Sequence, residues 1–278
     1  MMKLTPIHEV IPEKKIIILS PHYDDVLFML GGYILNLKEA GLLNTKTFEV
    51  KLIFSRSNYQ VGDGPKNFEN GIERIKYATG NRLIEDMDCN DALFGRYNYG
   101  YELLGESECF SRGKSMANSE MEFPHGTYED FDANDEAICE RMRRRIRKYA
   151  TASDTAIIFP TAIKEHIDHF IVREAGINVA KELGSTANAT FYFQEDKPYG
   201  GLADTEELER LELFIANNGL KQRFYTYEPK DIIDLAFRHY ISQVEEVYRT
   251  GVLARAKHLQ KHLGLKNGVD RICKYLPK

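Results

Sequence analysis

The chain has 278 residues, 43% hydrophobic and 28% charged, a composition typical of a folded protein with one large core. Its 37 basic and 42 acidic residues give a net charge of -5, which disfavours nucleic acid as a partner. Four scattered cysteines argue against a disulfide framework or a thiolate zinc site, and the absence of a signal-like or membrane-spanning apolar stretch favours the cytoplasm.

The first predicted elements are a strand, a helix, a second strand and a second helix. Residues 15–20 form a short β-branched run, which is typical of a strand buried on both faces of a parallel sheet. Apolar residues at helical spacing over residues 26–40 predict a helix that ends at Gly41. Residues 50–54 predict the second buried strand, and residues 69–87 predict the next helix.

The same signals continue along the chain. They predict a helix over residues 135–149, a strand over 155–159, a helix over 168–183, a strand over 190–194 and a mostly helical part from about 205. Alternating strands and helices predict a single Rossmann-like α/β domain over residues 1–278, with a mostly parallel sheet and helices on both faces.

Residues 95–130 have no clear periodicity and predict a long loop insertion. Aromatic residues recur within it, and such rings present flat apolar faces on which a ligand can pack. A loop that covers the substrate is therefore one interpretation, and an ordinary packed surface excursion is the other. The aromatic and histidine residues considered for the covering loop are Tyr97, Tyr99, Tyr101, Phe110, Phe123 and His125.

Two polar clusters follow predicted strands, at the position where ligands bind in open α/β sheets. The first lies in residues 20–25 and contains a histidine and two adjacent aspartates. The second lies in residues 166–169 and contains two histidines and an aspartate at the start of a helix. Either cluster alone is consistent with a helix cap. Two such clusters at the same edge of the sheet indicate a catalytic site.

These residue types predict metal-assisted hydrolysis. A catalytic zinc site has three protein ligands and an open position for water, and histidine and aspartate are suitable ligands. His22, one of the two aspartates of the first cluster and one of the two histidines of the second would supply three. Of Asp24 and Asp25, one can hold the metal while the other acts as a general base. Of His166 and His169, which share a helix face, one can bind the metal while the other reaches the reacting carbonyl.

Two other functions are disfavoured by the same residues. A dinucleotide site needs a glycine-rich turn after the first strand, whereas this chain has two carboxylates where a pyrophosphate would lie. A glycosidase would use paired carboxylates but would leave the paired histidines without a role.

The clusters resemble motifs of the PIG-L (LmbE-like) N-acetylglucosaminyl deacetylases. Residues 20–25 (SPHYDD), followed by a glycine pair, resemble the family's His-Pro-Asp-Asp motif, and residues 166–169 (HIDH) resemble its HxDH motif. Segments 82–86, 195–199 and 240–243 resemble its RxxE, EDxPY and YxSQ segments in the same order. The resemblance therefore covers most of the chain, from about residue 15 to 245.

The resemblance implies a role for each residue of the clusters. It implies that zinc, or another divalent metal such as Fe²⁺, is bound by His22, Asp25 and His169. It further implies three catalytic residues: Asp24 as general base, a protonated His166 that stabilises the oxyanion, and Asp168 as the carboxylate that orients a histidine.

The resemblance also implies the substrate. The substrate would be an N-acetylated sugar, free or within a conjugate or glycan, and hydrolysis would release acetate and an amine. Arg82 would approach either the sugar or its charged aglycone. Tyr23 replaces the family's proline and would alter the fit of the sugar. A homo-oligomer is compatible with this assignment. The alternative is a sugar-binding protein of the same fold that has lost activity, which the intact catalytic positions disfavour.

Overall fold

Seven strands make up the sheet in the part of the chain that the computed structural model describes, residues 3–114, 131–265 and 267–277. In chain order they are β1 Lys15–Ser20, β2 Thr47–Leu52, β3 Tyr99–Leu103, β4 Thr155–Pro160, β5 Thr190–Gln194, β6 Leu220–Tyr227 and β7 Gly268–Tyr275. Their order across the sheet is β3-β2-β1-β4-β5-β7-β6. Strands β1 to β5 are parallel, and β7 lies antiparallel between β5 and β6.

The helices of the described residues connect and cover these strands. They are α1 Ile7–Val10, α2 Asp25–Glu39, α3 Ile72–Phe94, α4 Ala133–Tyr149, α5 Ile167–Leu183, α6 Tyr199–Leu202, α7 Thr205–Asn217, α8 Pro229–His239 and α9 Glu246–Leu263. Capping boxes begin α4 at Asp132 and α7 at Asp204, so the chain itself marks where both helices start. None of these helices has an apolar stretch long enough to cross a membrane.

The sheet is buried on both faces. In β1, Ile16 and Ile18 pack with the layer formed by α2, α3, α8 and α9. The alternating residues Ile17 and Leu19 pack with α4, α5 and α7 on the other face. Because successive side chains of a strand point to opposite faces, one apolar strand contributes to both cores. The predicted α/β class, the mostly parallel sheet and the helices on both faces are confirmed.

Three strands differ from the prediction. Strand β3 lies inside the segment predicted as a loop, and β6 and β7 lie inside the part predicted as mostly helical. Strands β3 and β6 have partly exposed residues because they are the sheet edges, whereas β7 lies inside the sheet but buries two charged residues, Asp270 and Arg271. Their sequences therefore lack the continuous apolar run that identified β1 and β4. Residues 115–130 of the predicted loop lie outside the described residues.

Candidate active site

Both polar clusters lie at the carboxyl ends of neighbouring strands. β1 and β4 pair in parallel with Ile18 opposite Ile158, so the segments that follow them leave the sheet side by side. The first cluster leads directly into α2, and the second, which follows a short turn at Ile163–Glu165, forms the N-cap and first turn of α5. This arrangement brings together His22 and His169, which are 147 positions apart in the chain.

Three donor atoms converge at this edge of the sheet. Nδ1 of His22 and Nε2 of His169 lie 3.2 Å apart. Oδ2 of Asp25 lies 3.2 Å from the His169 nitrogen and 3.5 Å from the His22 nitrogen. The same oxygen accepts the His22 backbone N–H at 2.7 Å, which fixes the turn between the two residues. All three side chains are buried.

Two carboxylates orient the histidine rings from behind. Oδ2 of Asp168 lies 2.9 Å from Nε2 of His22, and Oδ1 of Asp196 lies 2.8 Å from Nδ1 of His169. Each ring therefore directs its other nitrogen toward the cluster. Metal-binding histidines are commonly oriented in this way, by a carboxylate that bonds the ring nitrogen facing away from the metal. Asp168 was predicted to orient a histidine, and the structure places it beside His22. Asp196 was not assigned a role, although it belongs to the EDxPY segment that follows β5.

The electrostatics of the cluster favour a positive charge at its centre. Burial lowers the pKa of His22, but hydrogen bonds with Asp168 and Asp25 outweigh burial and raise the pKa to about 9. Burial likewise opposes the charge of His169, yet Asp25 and Asp196 raise its pKa well above the usual value. Burial would raise the pKa of Asp25, but the two histidines hold it below its usual range. A divalent cation would supply this charge, so the donor set fits one.

His166 lies beside these donors but is oriented differently. Its ligand atom lies within 4.8 Å of those of His22 and His169, so these three histidines are a second set that could hold a metal. Its Nδ1 accepts the Asp168 backbone N–H at 3.2 Å and caps α5. The proton of the neutral ring is therefore assigned to Nε2, which lies 4.0 Å from Sγ of Cys109.

The protonated state expected for His166 is corrected by this position. Burial and the charge of His22 lower the pKa of His166 well below its usual value. The imidazole is therefore neutral, and its Nε2–H remains available as a hydrogen-bond donor.

Asp24 occupies the N-cap position of α2 but does not cap the helix with its side chain. Its carboxylate instead lines the pocket beside the cluster. Burial and the negative charge of Asp25 raise the pKa of Asp24 to about 6. A carboxyl group with a pKa near neutrality is suited to accept and return a proton.

Arg82 lines the same pocket, and two of its guanidinium nitrogens donate to neighbouring side chains. Its Nη1 donates to Ser57 at 2.7 Å and to Glu108, and its Nε donates to Gln243 at 2.8 Å. Glu108 was not predicted as a site residue, because it falls in the segment without a recognisable pattern. The pocket is lined by His22, Asp24, Tyr59, Arg82, Glu108, Cys109, Phe110, His166, Tyr199, Gln243 and Tyr248.

Tyr23 lies beneath Arg82 and not in the pocket lining. The side chain is 0% exposed, and its hydroxyl donates to the Ser55 carbonyl at 2.8 Å. Its ring centroid lies 5.3 Å from the central guanidinium carbon of Arg82. Because the hydroxyl is already bound and the ring is covered, the predicted effect of Tyr23 on the fit of the sugar would act through Arg82. Its contact with Arg82 is a supporting one.

The RxxE and YxSQ segments form one network behind Arg82. The Glu85 carboxylate accepts the backbone N–H and the hydroxyl of Ser242, both at 2.8 Å. It also accepts the amide of Gln243 at 2.8 Å, and Gln243 in turn accepts from Arg82. Two segments separated by more than 150 positions therefore hold the arginine in place.

Among the described residues considered for the covering loop, one aromatic side chain lines the pocket and three do not. Phe110 lines the pocket, as that interpretation requires. Tyr99 and Tyr101 belong to β3, where the Tyr101 hydroxyl bonds Asp86. Tyr97 precedes this parallel strand and so lies toward the opposite end of the sheet from the site. Phe123 and His125 lie outside the described residues.

The fold is shared with solved deacetylase structures of low sequence identity. No protein family model matches the sequence, and no curated protein matches it. The zinc-inhibited form of teicoplanin deacetylase aligns with a TM-score of 0.60 and 16% identity, over 95% of this chain and 98% of that chain. A40926 pseudoaglycone deacetylase aligns with a TM-score of 0.56 and 16% identity, over 95% and 98%.

A third structure, N,N'-diacetylchitobiose deacetylase from Pyrococcus horikoshii, aligns with a TM-score of 0.51 and 12% identity, over 93% of this chain and 84% of that chain. The chain thus has the fold of the LmbE-like deacetylases, which confirms the fold implied by the sequence resemblance. At these identities the likeness concerns the fold alone.

Proposed function

We propose that this protein is a metal-dependent deacetylase that hydrolyses the acetamide of an N-acetylated sugar or sugar conjugate, releasing acetate and a free amine. The convergence of His22 Nδ1, Asp25 Oδ2 and His169 Nε2 beside a polar pocket carries this proposal. The names of the structural neighbours support it, since they describe deacetylases of teicoplanin, of a pseudoaglycone and of diacetylchitobiose.

His22, Asp25 and His169 would hold the metal in this proposal. They are preferred over the set that contains His166, because Nδ1 of His166 is engaged by the Asp168 amide and Asp25 lies closer to the other two nitrogens. Nitrogen and carboxylate ligands favour zinc, with Fe²⁺ as the other candidate. When bound, the metal supplies Lewis acidity to the substrate carbonyl and to the attacking water.

Asp24 and His166 would act on opposite sides of the acetamide. Asp24 takes a proton from the attacking water and can return it to the departing amine, which its pKa of about 6 permits. The neutral His166 donates its Nε2–H to the carbonyl oxygen as negative charge develops there. Such a contact is worth about 3 kcal/mol in well-studied sites. Asp168 orients His22 through its carboxylate and His166 through its backbone amide.

Arg82 would bind the sugar as a hydrogen-bond donor. Its charge is balanced by Glu108, and both groups are buried. A second anion from a charged aglycone would therefore find little uncompensated positive charge there, whereas a hydroxyl needs only a donor or acceptor. Both Arg82 and Glu108 provide one at the pocket wall.

The proposal also includes the cytoplasm as the location. The four cysteines, Cys89, Cys109, Cys139 and Cys273, are all free and buried. Thiols are kept in this state in a reducing compartment.

Acetate release tests the proposal directly. The protein, loaded with zinc, is incubated with a panel of N-acetylated mono- and disaccharides, and acetate and free amine are both measured. We expect equal amounts of the two products from at least one sugar, and release at least about 100-fold slower from Asp24→Asn under the same conditions. Sugar binding without acetate release would identify a binding protein instead, and new reducing ends without acetate would identify a glycosidase.

A further inference from the structure

Two histidines lie one turn apart near the end of α9, on the same face of the helix. His258 and His262 are exposed, and their Nε2 atoms lie 3.0 Å apart. Their ring centroids are 4.5 Å apart and the ring planes cross at 67°. His258 is ten residues, or about 15 Å of helix, from Tyr248, which lines the active-site pocket.

We propose that His258 and His262 form a second site for a divalent transition-metal ion, independent of the buried donor cluster. Imidazole nitrogens bind zinc at about 2.0–2.1 Å, so two of them in a tetrahedral site lie roughly 3.3 Å apart. The observed 3.0 Å is close to this separation, and a small rotation of either exposed ring would make up the difference. Imidazole also suits Ni²⁺ and Cu²⁺, so all three ions should bind.

The surrounding charges are compatible with a cation at this position. His262 lies in the last turn of α9, where unpaired backbone carbonyls give the helix end a partial negative charge. The nearest arginine on the helix, Arg255, does not present a free charge, because Glu195 accepts from it at 2.6 and 2.9 Å. Arg271, which lines the same surface pocket as both histidines, is likewise paired, because it donates to Glu195 and Glu212.

The histidine pair should bind a metal ion with limited affinity, because it offers few protein ligands. It has two protein ligands, and water would complete the coordination of the ion. Buried carboxylates that orient the rings, as Asp168 and Asp196 do in the first cluster, are not bonded to either histidine among the described residues. The second site should therefore exchange its ion more readily than the buried donors.

Nickel titration of untagged protein tests the proposal. The protein is first saturated with zinc and dialysed, and Ni²⁺ binding is then followed by calorimetry for the parent, His258→Gln, His262→Gln and the control His8→Gln. His8 is an exposed histidine, so its loss reports on single-histidine binding. Because one ion needs both rings, either α9 substitution should remove the same single ion per chain, or weaken it at least about tenfold. The control should leave this ion in place.

Two results would overturn the second site. The first is Ni²⁺ binding by either α9 variant that equals that of the parent. The second is a loss of only half of the bound Ni²⁺ in each variant, which is the pattern of two independent histidines. Thermal unfolding without metal is measured in parallel, and equal midpoints for all four proteins show that the substitutions leave the fold intact. The comparison counts only the ion that differs between variants, so it does not depend on the proposed deacetylase activity.

Discussion

The carboxylate of Asp168 lies 2.9 Å from Nε2 of His22, and Arg112 holds the other oxygen of the same carboxylate at 2.7 Å. Arg112 also pairs with Asp135 at 2.9 Å, near the start of α4. Arg112 and the charged His22 hold the pKa of Asp168 well below its usual range, although burial would raise it. The orientation of His22 thus depends on an arginine that no sequence motif marks.

Replacing Arg112 should weaken metal binding at the buried cluster. Arg112→Gln removes the charge that balances Asp168, so the carboxylate should orient His22 less firmly, and losses of this kind usually cost about 10–100-fold in metal affinity. Zinc affinity measured by competition with a chelator checks this. Arg141→Gln removes an exposed bidentate pair with Glu106 and should leave the affinity unchanged. Equal affinities in both variants would show that Arg112 has only a structural role.

Metal removal should abolish hydrolysis. We expect about one tightly bound divalent ion per chain in protein purified without chelators, because one buried cluster has its donors oriented. Treatment with EDTA should remove activity, and added zinc should restore it. Elemental analysis and acetate release are measured on the same samples. Full activity in rigorously metal-free protein would contradict the proposed mechanism.

The neighbouring aspartates should respond differently to substitution. Asp25→Asn should lose the metal, because Asp25 places an anionic oxygen within 3.5 Å of both histidine nitrogens. Asp24→Asn should keep the metal and bind substrate but lose proton transfer, a step usually worth 10²–10⁴-fold in rate. Metal content and turnover are compared at saturating zinc. The reverse pattern would exchange the two roles, and full activity in both would show that the site lies elsewhere.

Loosening the turn that leads to His166 should lower kcat. Ala162, Lys164 and Glu165 all have positive φ, at 56°, 63° and 55°, and Lys164 is held by Glu207 at 3.0 Å. Lys164→Gly relieves a backbone strain of about 1 kcal/mol but removes this partly buried ion pair. We therefore expect a lower kcat with unchanged metal content and a small change in the unfolding midpoint.

Tyr97→Gly is the matched control for the turn. Tyr97 also has a positive φ, 66°, and is 91% exposed, at the opposite end of the sheet. Its substitution should relieve similar strain and leave kcat unchanged. If Lys164→Gly also keeps the parent kcat, the ion pair with Glu207 does not position His166.

Asp86 should make the stability of the protein depend on pH. Burial raises the pKa of Asp86 from 3.8 to about 8, and hydrogen bonds from Tyr101 and Tyr240 only partly oppose this. The folded state therefore keeps a proton that the unfolded state releases between about pH 4 and pH 8. The free energy of unfolding should fall across this window by up to about 1.4 kcal/mol per pH unit and level off above it.

Asp86→Asn isolates this contribution, because the amide does not titrate. Urea unfolding of both proteins from pH 5 to pH 9 gives the difference in stability, in which the other titrating groups cancel. The parent should lose stability relative to the variant as the pH rises to about 8. A difference that stays constant with pH would show that Asp86 is already ionised in the folded protein.

Much of the site could be predicted from residue type and spacing. The strand before each cluster is buried on both faces, so its apolar run is visible without an alignment, and the polar residues that follow must lie at the ligand-binding edge of the sheet. Residue type and spacing left open which aspartate and which histidine of each pair would bind the metal, and only the resemblance implied His22, Asp25 and His169. The structure places the donor atoms of these three side chains within 3.5 Å of one another. The helical spacing of apolar residues over 168–183 predicts α5 to within one residue.

Only the tertiary structure decided which groups surround those donors. Asp196, Glu108 and Arg112 reach the site from segments whose local sequence has no distinguishing period, and the strand order determines which of them meet. The neutral state of His166 and the burial of Tyr23 likewise follow from contacts with Asp168, His22, Ser55 and Arg82. Sequence alone determined the chemistry of the donors, because residue type sets it. Their protonation, orientation and partners depend on burial and on hydrogen bonds between distant segments, which exist only once the sheet has formed.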